Sequence, residues 1–361
     1  MNQRTLLYDK HVELGAKMVP FGGFELPIQY GSVKEEALAV RNQCGMFDVS
    51  HMGEFYLEGP GAVEFVDHII TNDFAGAETA KAVYSPLCRE DGTVIDDLIA
   101  YKLGPQKVGI CVNAANIEKD WQWISARAEE LSSRFEFKIR NQSGDYNLLA
   151  VQGPKTESIF KELGLIDDSE FDYYRVRART YKGLDILVAR TGYTGEDGFE
   201  VFIPGDGILA LWDDLIGAGV RPCGLAARDV LRLEVCYPLY GHELGDHLTP
   251  YDANLKWTVK MAKPDFIGKN SLEGYTSKYR LVKLSLEKGI PREGYKILNG
   301  DEQEIGVVTS GTMSVTLGKG ICMGLVERSR FPESKKFKIA VRKNNFEATY
   351  HAKAFVTGGH K

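Results

Sequence analysis

The stretch GTVIDDLIAYKL, residues 92 to 103, sets two acids side by side in a run that otherwise reads as strand. Strand interiors seldom carry acids. A strand alternates its faces, so Ile95, Asp97, Ile99 and Tyr101 share one side, and Asp96, Leu98, Ala100 and Lys102 take the other. Both sides mix polar and apolar residues, and parity alone does not choose between the acids. Asp97 shares its side with a phenol two steps on, which suits a ligand cleft. Asp96 shares its side with Lys102, which suits a solvated or structurally paired face. The bland alternative for either acid is a cap or a salt bridge.

Three further stretches carry candidate chemistry. RTGYTGEDGFE, residues 190 to 200, puts three glycines just after a strand, where backbone can approach a ligand or simply turn a tight hairpin. It is neither GxGxxG nor a P-loop, so neither nucleotide class is supported. Glu200 stands where the next strand restarts and could present a carboxylate. In GLAARDVLRLE, Arg228 and Arg232 lie one helical turn apart, free to bind an anion or to pair with Asp229 and Glu234, the commoner outcome. His242 and His247 are five apart, whereas a zinc-protease helix needs its two histidines four apart, and His51 has no Cys or His near it. With no nucleophile elbow either, the expectation is no metal and no Ser-His-Asp chemistry.

The elements that must position these groups read as α+β. Ser32 and Glu35 make a capping box ahead of a helix on which Val33, Ala37 and Val40 keep helical spacing. FDVSHMGEFYLEGPGAVEFVDHII and YNLLAVQGPKTESIFKEL both read as strand, Gly-Pro, then amphipathic helix with Pro in its first turn, as in a diverged duplication. In the second copy Ile159, Phe160 and Leu163 line the apolar face, and between the copies Ile117, Trp121, Ile124, Ala128 and Leu131 form another helical stripe. Helices are also expected around ILALWDDLIGAG and from GLAARDVLRLE. There is no regular βαβ rhythm. After about residue 275 the chain changes to short strands broken by glycine, as in a small all-β barrel or sandwich.

At 361 residues the chain is long enough for two or three domains, and 43% apolar residues suffice for more than one core. A net charge of -6, with Lys and Arg dispersed, leaves no footprint for nucleic acid or an anionic membrane. The N-terminal MNQRTLLYDKHVELG lacks the apolar core of a signal peptide, and no run of about 18 apolar residues occurs. Six isolated cysteines, without CxxC, suit buried thiols in a reducing compartment. A soluble intracellular protein is expected.

Ten ordered blocks from about residue 20 to beyond 320 together resemble the aminomethyltransferase, or T-protein, family of the glycine cleavage system. They are FGGFELPIQYGSVKEE, GMFDVSHMGE, ITNDF, GTVIDDLIAYK, VNAANIEKD, VQGPK, RTGYTGEDGFE, GLAARDVLRLE, YPLYGHEL and TSGTMSVTLGKGI. The resemblance implies two ferredoxin-like α+β parts around a central folate channel plus a C-terminal barrel. That corresponds to a folate-binding body over 1–275, one subdomain of it at approximately 55–150, and a barrel over 276–361. It implies transfer of the one-carbon unit from aminomethyl-dihydrolipoyl H-protein to tetrahydrofolate, giving 5,10-methylenetetrahydrofolate, ammonia and dihydrolipoyl H-protein. Tetrahydrofolate is then the acceptor substrate and lipoylated H-protein the partner, with no flavin, a cytoplasmic location and, by analogy, a monomeric state.

Carried over residue by residue, the family's essential aspartate falls on Asp97. Folate-lining positions fall on Met52, Tyr84, Ile99, Tyr101 and Asn113. The pterin-facing carboxylate falls on Glu200, near Tyr193, and the helix arginine on Arg228. Asp97, Ile99 and Tyr101 are the residues that alternation already grouped. Many relatives end in an aromatic-basic segment with an arginine, whereas HAKAFVTGGHK has none, leaving Lys343, Lys353 or Lys361 to supply charge. Two alternatives fit the same pterin site. One is a folate-dependent demethylase of a small methylated amine. The other is a non-enzymatic folate-binding relative of the iron–sulfur assembly type, whose K-G-C-Y-x-G-Q-E signature is replaced here by YPLYGHELGDHLTP.

Overall fold

Ser32 caps the helix Val33–Asn42 as its sequence predicts, accepting from the Glu35 backbone N–H at 3.4 Å. Ala37 and Val40 are buried on its inner face. The reciprocal half of the capping box is absent, because Glu35 turns outward to Arg221 at 2.9 Å. Its neighbour Glu36 goes inward instead. With no exposure at all, Glu36 accepts backbone N–H groups of Tyr30 (2.8 Å), Gly31 (3.0 Å) and Gly224 (2.9 Å), fastening two chain segments to one carboxylate.

The structure is a computed structural model describing residues 2–167, 169 and 171–359, so Lys361 lies outside the described residues. The chain divides into two compact units, one of residues 1–87, 96–228 and 358–361, the other of residues 88–95 and 229–357.

The first unit carries three sheets, apart from the 88–95 turn between two of their strands. The largest runs Val176–Tyr181, Leu184–Ala189, Gly198–Pro204, Tyr146–Gln152, Gly45–Asp48, Arg221–Pro222. A five-stranded sheet runs Ala82–Cys88, Val94–Gly104, Lys107–Val112, Gly53–Glu58, Lys138–Asn141. The third is a small sheet of Gln3–Arg4, Phe24–Gln29 and Lys17–Phe21. Leu149, Val151, Phe160, Phe199, Val201 and Trp212 anchor the core beneath the six-stranded sheet, all at most 1% exposed.

The two Gly-Pro units sit in different sheets, as strand Gly53–Glu58 with helix Ala62–Ile69 and strand Tyr146–Gln152 with helix Thr156–Glu162. Both turn on a glycine of matching positive φ, +147° at Gly59 and +132° at Gly153, where a side chain would meet backbone of Phe137 or Gln43. Contrary to expectation, Pro60 and Pro154 lie in the turn ahead of each helix and not in its first turn, because Gly61 and Lys155 occupy the capping positions.

In the second unit the glycine-broken strands close into a barrel, in the order Tyr279–Leu286, Gly320–Glu327, Glu304–Met313, Lys296–Asn299, Phe337–Val341, Asn344–Tyr350. Val282, Leu284, Ile297, Val308, Cys322 and Ile339, none of them exposed, fill its interior. The mixed α+β body and the closed barrel agree with the sequence reading. No helix among the described residues is long and apolar enough to cross a membrane.

Candidate active site

Strand Val94–Gly104 pairs antiparallel with Lys107–Val112, placing Ile99 opposite Cys111 and Tyr101 opposite Gly109. The alternation holds, and both faces are covered. Asp96, Leu98 and Ala100 are buried on one side; Asp97 and Ile99 are half-buried on the other, followed by buried Tyr101. A solvated face for Asp96 is therefore corrected to a structurally paired one, without Lys102, whose ammonium donates to the carbonyls of Ala75 and Ala77.

Asp97 has two side-chain partners. The Tyr84 hydroxyl donates to its Oδ2 at 2.9 Å and the Asn113 side-chain amide to its Oδ1 at 3.0 Å. Both partners are neutral. Burial, then the negative charge of Asp96, push the Asp97 carboxyl up to about 7, against the opposing pull of the two hydrogen bonds. Tyr84 itself is driven well above the ordinary phenol range, first by burial and then by Asp97, so it stays a donor.

Asn113 also donates to Asp96 Oδ1 at 2.8 Å through its side chain and to Oδ2 at 3.2 Å through its backbone N–H, and Asn116 adds a bond to Oδ1 at 2.7 Å. The two acids lie on opposite faces yet are joined through one amide, a coupling that alternation alone hides.

Glu200 lies in strand Gly198–Pro204 opposite Ala150 and Ala189 of its two neighbours, 8% exposed. Thr191 donates to its Oε2 at 2.5 Å. The glycine-rich segment 190–197 joins this strand to Leu184–Ala189 as a clamped hairpin loop. Arg190 grips Asp197 through Nε (2.9 Å) and Nη2 (2.5 Å), and Gln152 takes the Thr194 hydroxyl at 2.9 Å while donating to the Thr191 carbonyl at 3.0 Å. A side chain at Gly192 would collide with Gln152, its Cβ 1.9 Å from Oε1, and would push that amide out of the bonds that clamp the loop.

Tyr193 on this loop lies under the Arg228 guanidinium, 5.0 Å from ring centroid to Cζ, with Phe47 at 5.9 Å on the same cation. Burial lowers the Arg228 guanidinium somewhat, and Glu200 and Tyr193 oppose that. The two helix arginines thus part company. Arg232 pairs with Asp229 as expected (2.8 Å) and with Glu243 (2.9 Å), while Glu234 instead accepts from Ser314 and Thr316.

Among the described residues, the buried polar atoms without a hydrogen-bond partner include Tyr101 Oη, Arg228 Nη1, His51 Nδ1 and both carboxyl oxygens of Glu54. Buried polar groups are almost always satisfied, so these atoms are open to a water or a polar ligand. Tyr101 and Arg228 both sense the charge of Glu200, and the Tyr101 ring meets Phe202 edge-on at 5.5 Å. Met52, half-buried, immediately precedes strand Gly53–Glu58. The carried-over residues thus fall into an Asp97–Tyr84–Asn113 group and a Glu200–Tyr101–Arg228–Tyr193 group within one unit, while Ile99 lies between Asp97 and Tyr101 on their strand face.

His51, Glu54 and Asp120 were not anticipated. His51 sits against Phe21 and Phe24, and burial lowers its imidazole to about 4. Glu54, 2% exposed, is pushed well above the carboxylate range by burial. An acid inside the alternating run HMGEFYL was its only signal. Among the described residues no group of three or more His, Cys, Asp or Glu could hold a metal ion. At the other end of the chain, Lys343 and Lys353 are exposed, and the Gly359 N–H donates to the Gly195 carbonyl at 2.9 Å.

Residues 7–263 match the model of the GCVT N-terminal domain, and residues 280–356 that of the glycine cleavage T-protein C-terminal barrel domain. An aminomethyltransferase of Thermosipho melanesiensis is 42% identical over 363 residues, covering 99% of this chain and 98% of that protein. One of Thermotoga maritima is 46% identical, covering 91% and 90%. The crystal structure of glycine cleavage system aminomethyltransferase T from Bartonella henselae superposes with a TM-score of 0.93 at 30% identity, over 100% of this chain and 99% of that one.

Proposed function

The chain belongs to the glycine cleavage T-protein family, and on that premise we propose that the half-buried side of the Asp97 strand is its reaction centre. The protein is an aminomethyltransferase. It takes the one-carbon unit from the aminomethyl group on the lipoyl arm of H-protein and passes it to tetrahydrofolate, releasing ammonia.

One observation carries the assignment of Asp97: a half-buried carboxyl whose side-chain partners among the described residues, Tyr84 and Asn113, are both neutral. A carboxylate already paired with Arg or Lys is spent, whereas this one retains its negative charge for a cation that arises during reaction. Expulsion of ammonia from the aminomethyl carbon, or attack on that carbon by a folate nitrogen, develops such positive charge. Asp97 stabilises it and orients the nucleophile. Transfer of the carbon is not a redox step, so it calls for no flavin.

The second group binds the acceptor. Glu200 takes two N–H groups from the amide and amino edge of the pterin. Tyr101, with its unpartnered hydroxyl, and Tyr193, under Arg228, supply flat faces and polar tips, and Arg228 supplies the cation for the carboxylates of the folate tail. Met52, Ile99 and Tyr84 complete the lining. The body, over about 1–275, is read as two ferredoxin-like halves around a folate channel, with the barrel over 276–361. Family matches ending at residue 263 and resuming at 280 support that division. A monomer in the cytoplasm, meeting lipoylated H-protein, completes the proposal.

The test is an assay of purified protein with tetrahydrofolate and either lipoylated, aminomethyl-loaded H-protein or small methylated amines. Turnover with the first alone is expected. Turnover with the amines alone points to a demethylase, and folate binding without either activity to a non-enzymatic relative.

A further inference from the structure

Asp120 lies in the first turn of helix Ile117–Glu130 and is not exposed at all. No N–H or O–H among the described residues donates to either of its carboxyl oxygens. Asn116, which caps this helix one turn before Asp120, donates to Asp96 Oδ1 at 2.7 Å, and this brings the equally buried Asp96 carboxyl against that of Asp120. Two carboxyl groups in hydrogen-bond contact need a proton between them, and the surroundings decide which one carries it. Asp96 is met by three N–H donors, from the Asn113 side chain, the Asn113 backbone and the Asn116 side chain. An N–H favours a charged acceptor. Asp120 has no donor of its own, so the proton resides on Asp120 and is donated to Asp96.

We propose that Asp120 is a proton-carrying positioning residue, whose O–H holds Asp96 and, through Asp96, fixes the Asn113 amide that donates to Asp97. This rests on the reading of Asp97 as the reaction centre. The Asn113 amide nitrogen is shared between Asp96 Oδ1 (2.8 Å), Asp97 Oδ1 (3.0 Å) and the Asp97 carbonyl (3.1 Å), and so its orientation depends on how firmly Asp96 is held. The charged and titratable neighbours include Asp96, Asp97 and Lys119 around Asp120, Asp96 and Tyr84 around Asp97, Cys111 near Asp96, and Tyr174 and Tyr193 near Tyr84. Burial, followed by the charge of Asp96, raises the Asp120 carboxyl to about 10, in keeping with a proton retained through the neutral range.

The experiment compares Asp120→Leu and Asp120→Asn by the pH profile of transfer and by the infrared carbonyl stretch of protonated acids. In D120L the donor is gone: kcat should fall roughly ten- to a hundredfold through misplacement of the amide, with the acid limb displaced to higher pH and KM for tetrahydrofolate within twofold. In D120N an amide N–H replaces the O–H, and both the rate and the profile should return close to the parent's. The parent-minus-D120N spectrum at pH 8 should show a protonated-acid carbonyl band, a readout that survives if D120L fails to fold. An unmoved profile in D120L, a D120N as impaired as D120L, or no such band would overturn the proposal. Asp97→Asn is the control. If it turns over normally, the reading of Asp97 fails; if it is dead while D120L keeps the parent profile, only the role of Asp120 fails.

Discussion

Asp96 and Asp97 point to opposite faces of one strand and yet share a single donor, the side-chain amide of Asn113, at 2.8 and 3.0 Å. The inner acid is satisfied by amides, whereas the outer one is left with a phenol and part of an amide. Adjacent carboxylates raise one another's affinity for protons. The doublet therefore works as an electrostatic unit: Asp96 fixes the geometry and, by its charge, adds to the effect of burial in raising the Asp97 carboxyl.

Replacing Asp97 with Asn keeps the size and an acceptor for Tyr84 but removes the charge. Transfer should fall about a hundredfold or more, with the thermal midpoint at neutral pH unchanged or raised, since a buried charge has gone. Steady-state kinetics beside a thermal melt checks both; normal turnover would remove Asp97 from the mechanism.

With the Asp97 carboxyl at about 7 and its ionised form doing the work, transfer should rise with pH and reach half its plateau near 7. Asp96→Asn removes the neighbouring charge and should move that acid limb to lower pH by roughly one unit. The same shift has a stability consequence. A carboxyl raised in the fold favours the protonated native state, a contribution fully present below its unfolded value near 3.8 and lost as pH rises through 7. Asp97→Asn should accordingly gain stability over the parent on the alkaline side of that window and not on the acid side.

Glu200→Gln trades one of two acceptor oxygens for a donor facing the pterin's own N–H groups. Hydrogen bonds to a charged group are worth about 1.5–3 kcal/mol, so tetrahydrofolate should bind roughly ten- to a hundredfold more weakly. Calorimetric titration measures it directly, and an unchanged affinity would take Glu200 out of the pterin site.

Glu36→Ala removes the acceptor of three backbone N–H groups, of which that of Gly224 is buried and those of Tyr30 and Gly31 lie nearer to water. The expected cost is about 1–3 kcal/mol of stability, visible as a lower denaturant midpoint. Because Glu36 does not touch the Asp97 group, kcat measured below the melting transition should stay near the parent's.

The period-two pattern of the Asp97 strand, the Ser32 cap and the change to glycine-broken strands after 275 were legible because each is a local rule of backbone geometry. Residues in the site were legible as types and, through family resemblance, as positions. What escaped was set by tertiary contact. Glu35 looked like the box residue, but Glu36 faced the segment that needed an acceptor. Asp120 lay inside an apolar helical stripe as an unremarked polar member, because nothing in VNAANIEKD tells that its carboxyl will meet one from a strand more than twenty residues earlier. Arg228 and Arg232 looked alike until the fold supplied Glu243 to one and not to the other.

Closure of the C-terminal strands into a barrel has a consequence for association. Each strand there has two neighbours, the last seam being closed by the Leu284–Tyr350 and Ser285–Thr349 pairs, so the barrel leaves little unpaired rim to which a foreign strand could be added. Recognition on that unit is left to side chains and loop tips. A peptide that binds by extending a sheet should find little purchase there.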